Sequence, residues 1–202
     1  VTRGTWNDLA ARLADCQAVI HVAGVNRGTD TEVEEKNIEL AEELVTAVRA
    51  HGAPTRVVYA NTIHAGTPTP YGIGKARAGE LIRTLAAEGH TVVDVRLPNI
   101  FGEHGRPHYN SFVATFAHAV ANQQPIELMD REVELLHAQG AAAALIDGLT
   151  ASAGGSEANG SPRPAPWGEN GRVASAASVA GSAPPSSPPT GSWSPVWAPS
   201  RP

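Results

Sequence analysis

The chain has 202 residues and a formal net charge of −5, from 15 Lys and Arg against 20 Asp and Glu. No cluster of basic residues occurs, so the charge pattern argues against a nucleic-acid-binding surface. A single cysteine excludes a disulfide framework within the chain, and the sequence has neither a signal peptide nor a run of 18 apolar residues. We therefore expect no nucleic-acid partner, no membrane insertion and a cytoplasmic location.

The composition changes abruptly after Thr150. Residues 151–202 are mostly Ala, Gly, Ser and Pro and contain 10 of the 16 prolines. Such a stretch has too few branched apolar residues to offset the entropy lost on ordering it. We predict a folded domain over residues 1–150 and a low-complexity, disordered tail over residues 151–202. A docking motif built on Trp193 and Trp197 is the alternative for this tail.

Helical and strand patterns alternate along the first 150 residues. The patterns predict helices at 6–14, 32–50, 70–88, 110–121 and 141–149, and strands at 18–23, 56–60, 91–96 and 133–136. Thr31 and Glu34 are placed as a capping box for the longest helix. Strict alternation predicts parallel strands with helices on both faces of the sheet. The predicted fold class is therefore α/β, with a doubly wound parallel sheet.

One short motif carries candidate chemistry. Tyr71 and Lys75 are four residues apart on a predicted helix and so share one face. A neighbouring ammonium favours the phenolate, which predicts a lowered pKa for Tyr71 and a role as general acid or base. Thr62 follows the strand 56–60, where its hydroxyl would hold the reacting oxygen. The spacing alone also allows a helix face with a solvated lysine.

Three segments, in this order, resemble the extended short-chain dehydrogenase/reductase family of nucleotide-sugar epimerases, dehydratases and reductases. The segments are HVAGVNR (21–27), PYGIGK (70–75) and RLPNIFGEHGRPHYNSFVATFAHAVANQQPI (96–126). They are most similar to the bacterial capsular-polysaccharide reductases that make UDP-N-acetyl-L-fucosamine, over roughly residues 1–137. The resemblance implies a Rossmann-like fold, NAD(H) or NADP(H) as cofactor, a nucleotide-sugar substrate and a homodimer for the intact family enzyme.

The resemblance also implies roles for individual residues. Thr62, Tyr71 and Lys75 would be catalytic, and Lys75 would in addition grip the nicotinamide ribose beside Tyr71. The further residues implied on the cofactor side are Arg3, Ala23, Gly24, Asn37 and Pro98. The residues implied on the substrate side are Asn99, Arg106, His108 and Asn110. No histidine has partners at metal-ligand spacing, so no metal site is predicted.

The chain departs from the family at its start. The G-x-G-x-x-G motif that holds a dinucleotide pyrophosphate is not found in the sequence. We therefore expect a Rossmann-like sheet that lacks its first strand and helix. The predicted function is NAD(P)-dependent reduction of a UDP-linked 4-keto sugar in surface-polysaccharide biosynthesis. The alternatives are an epimerase or dehydratase of the same family, or a non-catalytic fragment or dead paralogue without a complete cofactor site.

Overall fold

The computed structural model describes residues 3–127, 132–151 and 158–159. Its elements, in chain order, are a 3₁₀ segment Arg3–Asp8, α1 (Leu9–Leu13), β1 (Ala18–His21), α2 (Asp30–His51), β2 (Arg56–Thr62), α3 (Pro70–Thr84), a 3₁₀ segment Leu85–Glu88, β3 (Thr91–Leu97), β4 (Asn99–Phe101), α4 (Phe112–Ala121), β5 (Leu135–His137), α5 (Ala138–Asp147) and β6 (Ala158–Asn159).

The main sheet has four parallel strands in the order β1-β2-β3-β6, and β4 and β5 form a separate parallel pair. Because the strands are parallel, their carboxyl ends meet at one edge, which is where open α/β sheets bind ligands. Thr62 pairs with Leu97 at this edge, and the Ile63 N–H donates to the Leu97 carbonyl at 3.1 Å. The sheet thus brings the ends of β2 and β3 together.

Helices cover both faces of the sheet. On the first face α1, α2 and α3 bury an apolar cluster against β2 that includes Leu44, Val57 and Ile82. On the second face α5 packs on a smaller cluster that includes Val58 and Val95. Alternate residues of β2 point to opposite faces, as a strand with period two requires. The predicted doubly wound α/β fold is confirmed.

Local signals explain where the two longest helices begin. The capping box of α2 uses Thr29 and Glu32, so the predicted pair Thr31 and Glu34 is wrong by two residues. Thr29 is extended and accepts from the Glu32 N–H at 3.3 Å, whereas Thr31 already lies inside the helix. Helix α3 begins after Thr69, whose hydroxyl accepts from the Gly72 N–H at 3.0 Å.

The chain termini lie largely outside the described residues. The backbone at Arg3 begins a 3₁₀ segment, but its side chain lies outside the description, as does the predicted disordered tail except for Ala151 and Ala158–Asn159. Those two residues pair with Val95 and Arg96 of β3. The domain boundary at residue 150 and the disordered tail stay predictions.

Candidate functional site

The three predicted catalytic residues lie where β2 leads into α3. Thr62 is the last residue of β2 and is 7% exposed, while Tyr71 is the half-buried second residue of α3. Lys75 lies one turn further along α3 and is 3% exposed. The loop between β2 and α3 is held to Thr62 by the His64 N–H, which donates to Thr62 Oγ1 at 3.2 Å. Since that oxygen accepts from the backbone, the hydroxyl proton is available for an incoming acceptor.

Lys75 points into the protein instead of into solvent. Its Nζ donates to the Ala60 carbonyl at 2.7 Å and lies 4.1 Å from the centroid of the Tyr59 ring. Burial lowers the pKa of Lys75 to about 8, against a smaller raising effect from Asp94. The alternative of a solvated lysine on a helix face is therefore wrong. With this pKa the buried lysine is mostly protonated at pH 7.

The electrostatics of Tyr71 differ from the sequence-based expectation. Burial raises the pKa of Tyr71, so the predicted lowering is wrong in this structure. The physical reason is the direction of Lys75, whose ammonium contacts Tyr59 and Ala60. Within the described residues no hydrogen bond is made by the Tyr71 hydroxyl. A phenol with a raised pKa is protonated at neutral pH and suits proton donation.

Three of the residues predicted on the cofactor side, Ala23, Gly24 and Asn37, meet at the loop after β1. Asn37 of α2 is 2% exposed and donates from Nδ2 to the Val25 carbonyl at 2.7 Å, while its Oδ1 accepts from the Val25 N–H at 3.2 Å. A Cβ on Gly24 would lie 3.1 Å from Asn37 Oδ1, so a glycine allows this close approach. Ala23 precedes it and is half-buried. Asn37 therefore shapes the loop that carries Ala23 and Gly24.

The residues predicted on the substrate side separate into two groups. Asn99 begins β4 directly after the half-buried Pro98, and its Nδ2 donates to the Glu134 carbonyl at 3.3 Å. Arg106, His108 and Asn110 lie in an exposed loop before α4. His108 has a φ of 55°, a left-handed conformation that is uncommon for a residue other than glycine.

Arg27 joins this loop to the turn after β1. Its Nε donates to Asn110 Oδ1 at 3.2 Å, and its Nη2 contacts the carbonyls of His108 and Tyr109. The Cζ atoms of Arg27 and Arg106 lie 4.2 Å and 5.8 Å from the centroid of the Tyr109 ring. Two guanidinium groups therefore share one aromatic ring beside the substrate-side residues.

The sequence assigned no role to two residues of this site, Arg27 and His21. Arg27 lies in the loop that follows β1, and an arginine in such a loop is a candidate for contacts between loops. His21 is 4% exposed and stacks on Tyr59 with ring centroids 5.5 Å apart. Burial, followed by the Lys75 charge, lowers the pKa of His21 to about 4. A histidine among strand apolar residues signals such a buried neutral ring.

Within residues 3–127, 132–151 and 158–159, no group of three or more His, Cys, Asp or Glu side chains is placed to hold a metal ion. None of the helices in those ranges has the length and apolar character needed to cross a bilayer.

The described residues fit one half of a nicotinamide dinucleotide. A lysine ammonium has three donors, and within the described residues Ala60 takes one of those of Lys75, which leaves two for ribose hydroxyls. Gly24 is exposed and has no side chain, so a ligand could approach the backbone of the loop after β1. The glycine-rich pyrophosphate motif is not among these 202 residues. The described residues therefore fit the nicotinamide ribose, whereas the glycine-rich motif that would hold the pyrophosphate is not in this sequence.

Comparison with known proteins places these features in a family. Residues 2–158 match the NAD dependent epimerase/dehydratase family. Over 119 residues the chain is 38% identical to UDP-2-acetamido-2,6-beta-L-arabino-hexul-4-ose reductase of Pseudomonas aeruginosa. That alignment covers 58% of this chain and 32% of the reductase, so the chain spans about a third of that relative's length.

Two solved structures share the fold. The capsular polysaccharide assembling protein CapF of Staphylococcus aureus superimposes with a TM-score of 0.60 at 28% identity, covering 72% of this chain and 41% of that one. The UDP-N-acetylglucosamine 4-epimerase of Bacillus cereus gives a TM-score of 0.64 at 22% identity, with coverages of 74% and 58%. At 22% identity the second likeness concerns the fold alone.

Proposed function

Because the chain belongs to the NAD dependent epimerase/dehydratase family, we propose that it carries the reacting site of an NAD(P)-dependent oxidoreductase that reduces a UDP-linked 4-keto sugar. The observation that carries this proposal is the group of Thr62, Tyr71 and the buried Lys75 at one sheet edge. The reductase with 38% identity favours this reaction class. We further propose a cytoplasmic enzyme of surface-polysaccharide biosynthesis, with its domain over residues 1–150.

The nicotinamide, when bound, supplies or accepts the hydride of the reaction. Tyr71 gives its phenolic proton to the sugar oxygen, and its raised pKa keeps that proton in place until the oxygen becomes basic. Thr62 donates a hydrogen bond to the same oxygen, because Thr62 Oγ1 already accepts from His64. Lys75 binds the ribose and keeps positive charge near the phenolate that remains after proton transfer.

The substrate-side loop suits the diphosphate of a nucleotide sugar. Guanidinium groups recognise phosphate oxygens through two parallel hydrogen bonds, and such contacts are stronger than neutral ones. Arg106 is exposed beside the Tyr109 ring, and Arg27 holds the same loop through its backbone carbonyls. We propose Arg106, His108 and Asn110 as substrate contacts and Arg27 as the residue that orders them.

A turnover assay separates the candidate functions. The chain is mixed with NADH or NADPH at millimolar concentration and a UDP-linked 2-acetamido-2,6-dideoxy-4-hexulose. Stoichiometric loss of cofactor absorbance together with formation of the 4-hydroxy sugar supports the reductase. Sugar interconversion without net loss of the cofactor points to an epimerase or dehydratase instead. Complete absence of turnover, with Tyr71→Phe and wild type behaving alike, would refute the proposed chemistry.

A further inference from the structure

A half-buried carboxylate on β3 has no part in the reaction described above. Asp94 lies in the middle of β3, its side chain is 16% exposed, and it pairs in register with Tyr59 of β2. Asp94 Oδ2 accepts from Asn61 Nδ2 at 3.1 Å and lies 3.5 Å from Arg83 Nη2. Asp94 Oδ1 is buried without a hydrogen bond in the described part of the chain. A desolvated carboxylate is costly, so its retention calls for a physical role.

The hydrogen bonds of Asp94 lead through Asn61 to the backbone N–H of Thr62. Asn61 is 5% exposed, and both ends of its amide are occupied: Nδ2 by Asp94 and Oδ1 by the Thr62 N–H at 2.9 Å. The next link is the His64 N–H, which donates to Thr62 Oγ1 at 3.2 Å. An amide held at both ends cannot rotate freely, so Asp94 acts through Asn61 on the Thr62 N–H, in addition to the strand pairing of Thr62 with Leu97.

The same carboxylate lies on the side of β3 that faces Lys75. Gly79 follows Lys75 by one turn of α3, and a Cβ there would meet Asn61 Nδ2 at 3.2 Å, Asp94 Oδ2 at 3.5 Å and Tyr59 Cε1 at 3.5 Å. Lys75 Nζ lies 4.1 Å from the same Tyr59 ring. The glycine at position 79 therefore lets α3 pack closely against β2 and β3, on the side where Lys75 and Asp94 lie.

We propose that Asp94 is a positioning residue of this site, which orients Thr62 through Asn61 and supplies the buried negative charge that keeps Lys75 cationic. Only the catalytic consequence of this inference rests on the proposed function. In support, Asp94 raises the pKa of Lys75 against the effect of burial.

Other titratable or charged groups near Lys75 come from each element packed around it. They are His21 on β1, Tyr59 on β2, Tyr71 on α3, Arg83 beside Asp94, and Glu34 on α2 with its partner Arg77. His21 is neutral at pH 7 because its pKa is about 4, and burial raises the pKa of both tyrosines, so neither phenol is charged there. Glu34 is paired with Arg77 at 2.7 Å. Among the groups named here, Asp94 is the carboxylate whose charge raises the pKa of Lys75.

The test uses the fact that the chain has two lysines, Lys36 and Lys75. Labelling lysine with ¹³C gives two Cε resonances, which Lys36→Met assigns, and their chemical shifts are followed against pH. We expect Asp94→Asn to lower the Lys75 midpoint, because the Asp94 charge raises the pKa of Lys75 and the substitution removes that charge. The Lys36 midpoint should not move. Asp8→Asn, which removes an exposed carboxylate on the α1 side, should move neither.

A double variant that exchanges the amide and the carboxylate provides a second test if Asp94→Asn unfolds. Asn61→Asp/Asp94→Asn retains an amide and a carboxylate at hydrogen-bonding distance and should return the Lys75 midpoint towards wild type. An unchanged midpoint in folded Asp94→Asn, or no recovery in the swap, would overturn the inference.

Turnover gives the second reading. Asp94→Asn should lower kcat with little change in KM, move the alkaline limb of kcat down with the Lys75 midpoint, and be non-additive with Thr62→Val. Additive losses would contradict the link to Thr62. Wild-type inactivity would refute the proposed reaction, while the lysine titration would still decide the role of Asp94.

Discussion

Replacement of Lys75 by methionine should cost less stability, relative to wild type, at neutral pH than at high pH. Lys75 has a pKa of about 8 in the folded protein, against 10.5 for an ordinary lysine. A folded pKa below the unfolded value means that the unfolded chain binds more protons between those two pH values. The stability of the wild type therefore rises as pH increases from about 8 to 10.5, and the penalty of a buried charge is fully present below pH 8.

The size of the effect follows from the displacement of the pKa. At about 1.4 kcal/mol per pH unit, the displacement corresponds to about 3 kcal/mol. Lys75→Met also loses the hydrogen bond to Ala60 and the contact with the Tyr59 ring. Those losses lower the unfolding free energy of the variant by about the same amount at every pH. The informative measurement is therefore how the stability difference between the two proteins changes with pH.

Urea unfolding followed by circular dichroism, at pH 7 and again near pH 10, measures this difference. Wild type should gain about 3 kcal/mol relative to Lys75→Met over that interval. Lys36→Met is the matched control, and it should show no such gain, because Lys36 is exposed and its pKa is raised by Glu39. If the difference in unfolding free energy between wild type and Lys75→Met did not change with pH, Lys75 would not be a lysine whose charged form is destabilised by burial.

Four further outcomes are expected. His21 has a lowered pKa of about 4, so wild type should lose about 3 kcal/mol of stability as pH falls from 6.5 to 4, and His21→Gln should lose much less in the same urea titrations. Tyr71→Phe should reduce kcat roughly 10²–10⁴-fold in the 4-keto-sugar assay while the melting temperature stays near wild type. Gly74→Ala should destabilise the fold by about 1–3 kcal/mol in urea, because its Cβ would lie 2.8 Å from the Glu34 carbonyl where α2 meets α3. The chain by itself should bind NADH no more tightly than about 1 mM in calorimetric titration, since it contains no glycine-rich pyrophosphate motif, and micromolar binding would contradict that.

The order of elements and the location of the site were readable from local sequence. Buried parallel strands appear as short apolar runs, and helices as longer stretches with caps, so the sequence predicts a doubly wound sheet. The alternation also places Thr62 and Tyr71 at the same edge, because parallel strands end on one side of the sheet. The capping box was misplaced by two residues because Thr29 and Thr31 carry the same local signal, and only backbone geometry distinguishes them.

The electrostatic character of the site was decided by tertiary packing. Helical spacing places Tyr71 and Lys75 on one face, but only the fold turns the ammonium towards Ala60 and Tyr59 and so removes its influence from Tyr71. Asp94 and Lys75 are 19 positions apart in the sequence, and no periodicity predicts that α3 would pack closely against β3 on the side where both lie. A pKa depends on burial and on charges within a few ångströms. Both quantities arise from contacts between distant segments, which is why the sequence predicts the chemistry's residues but leaves their charge states to the folded structure.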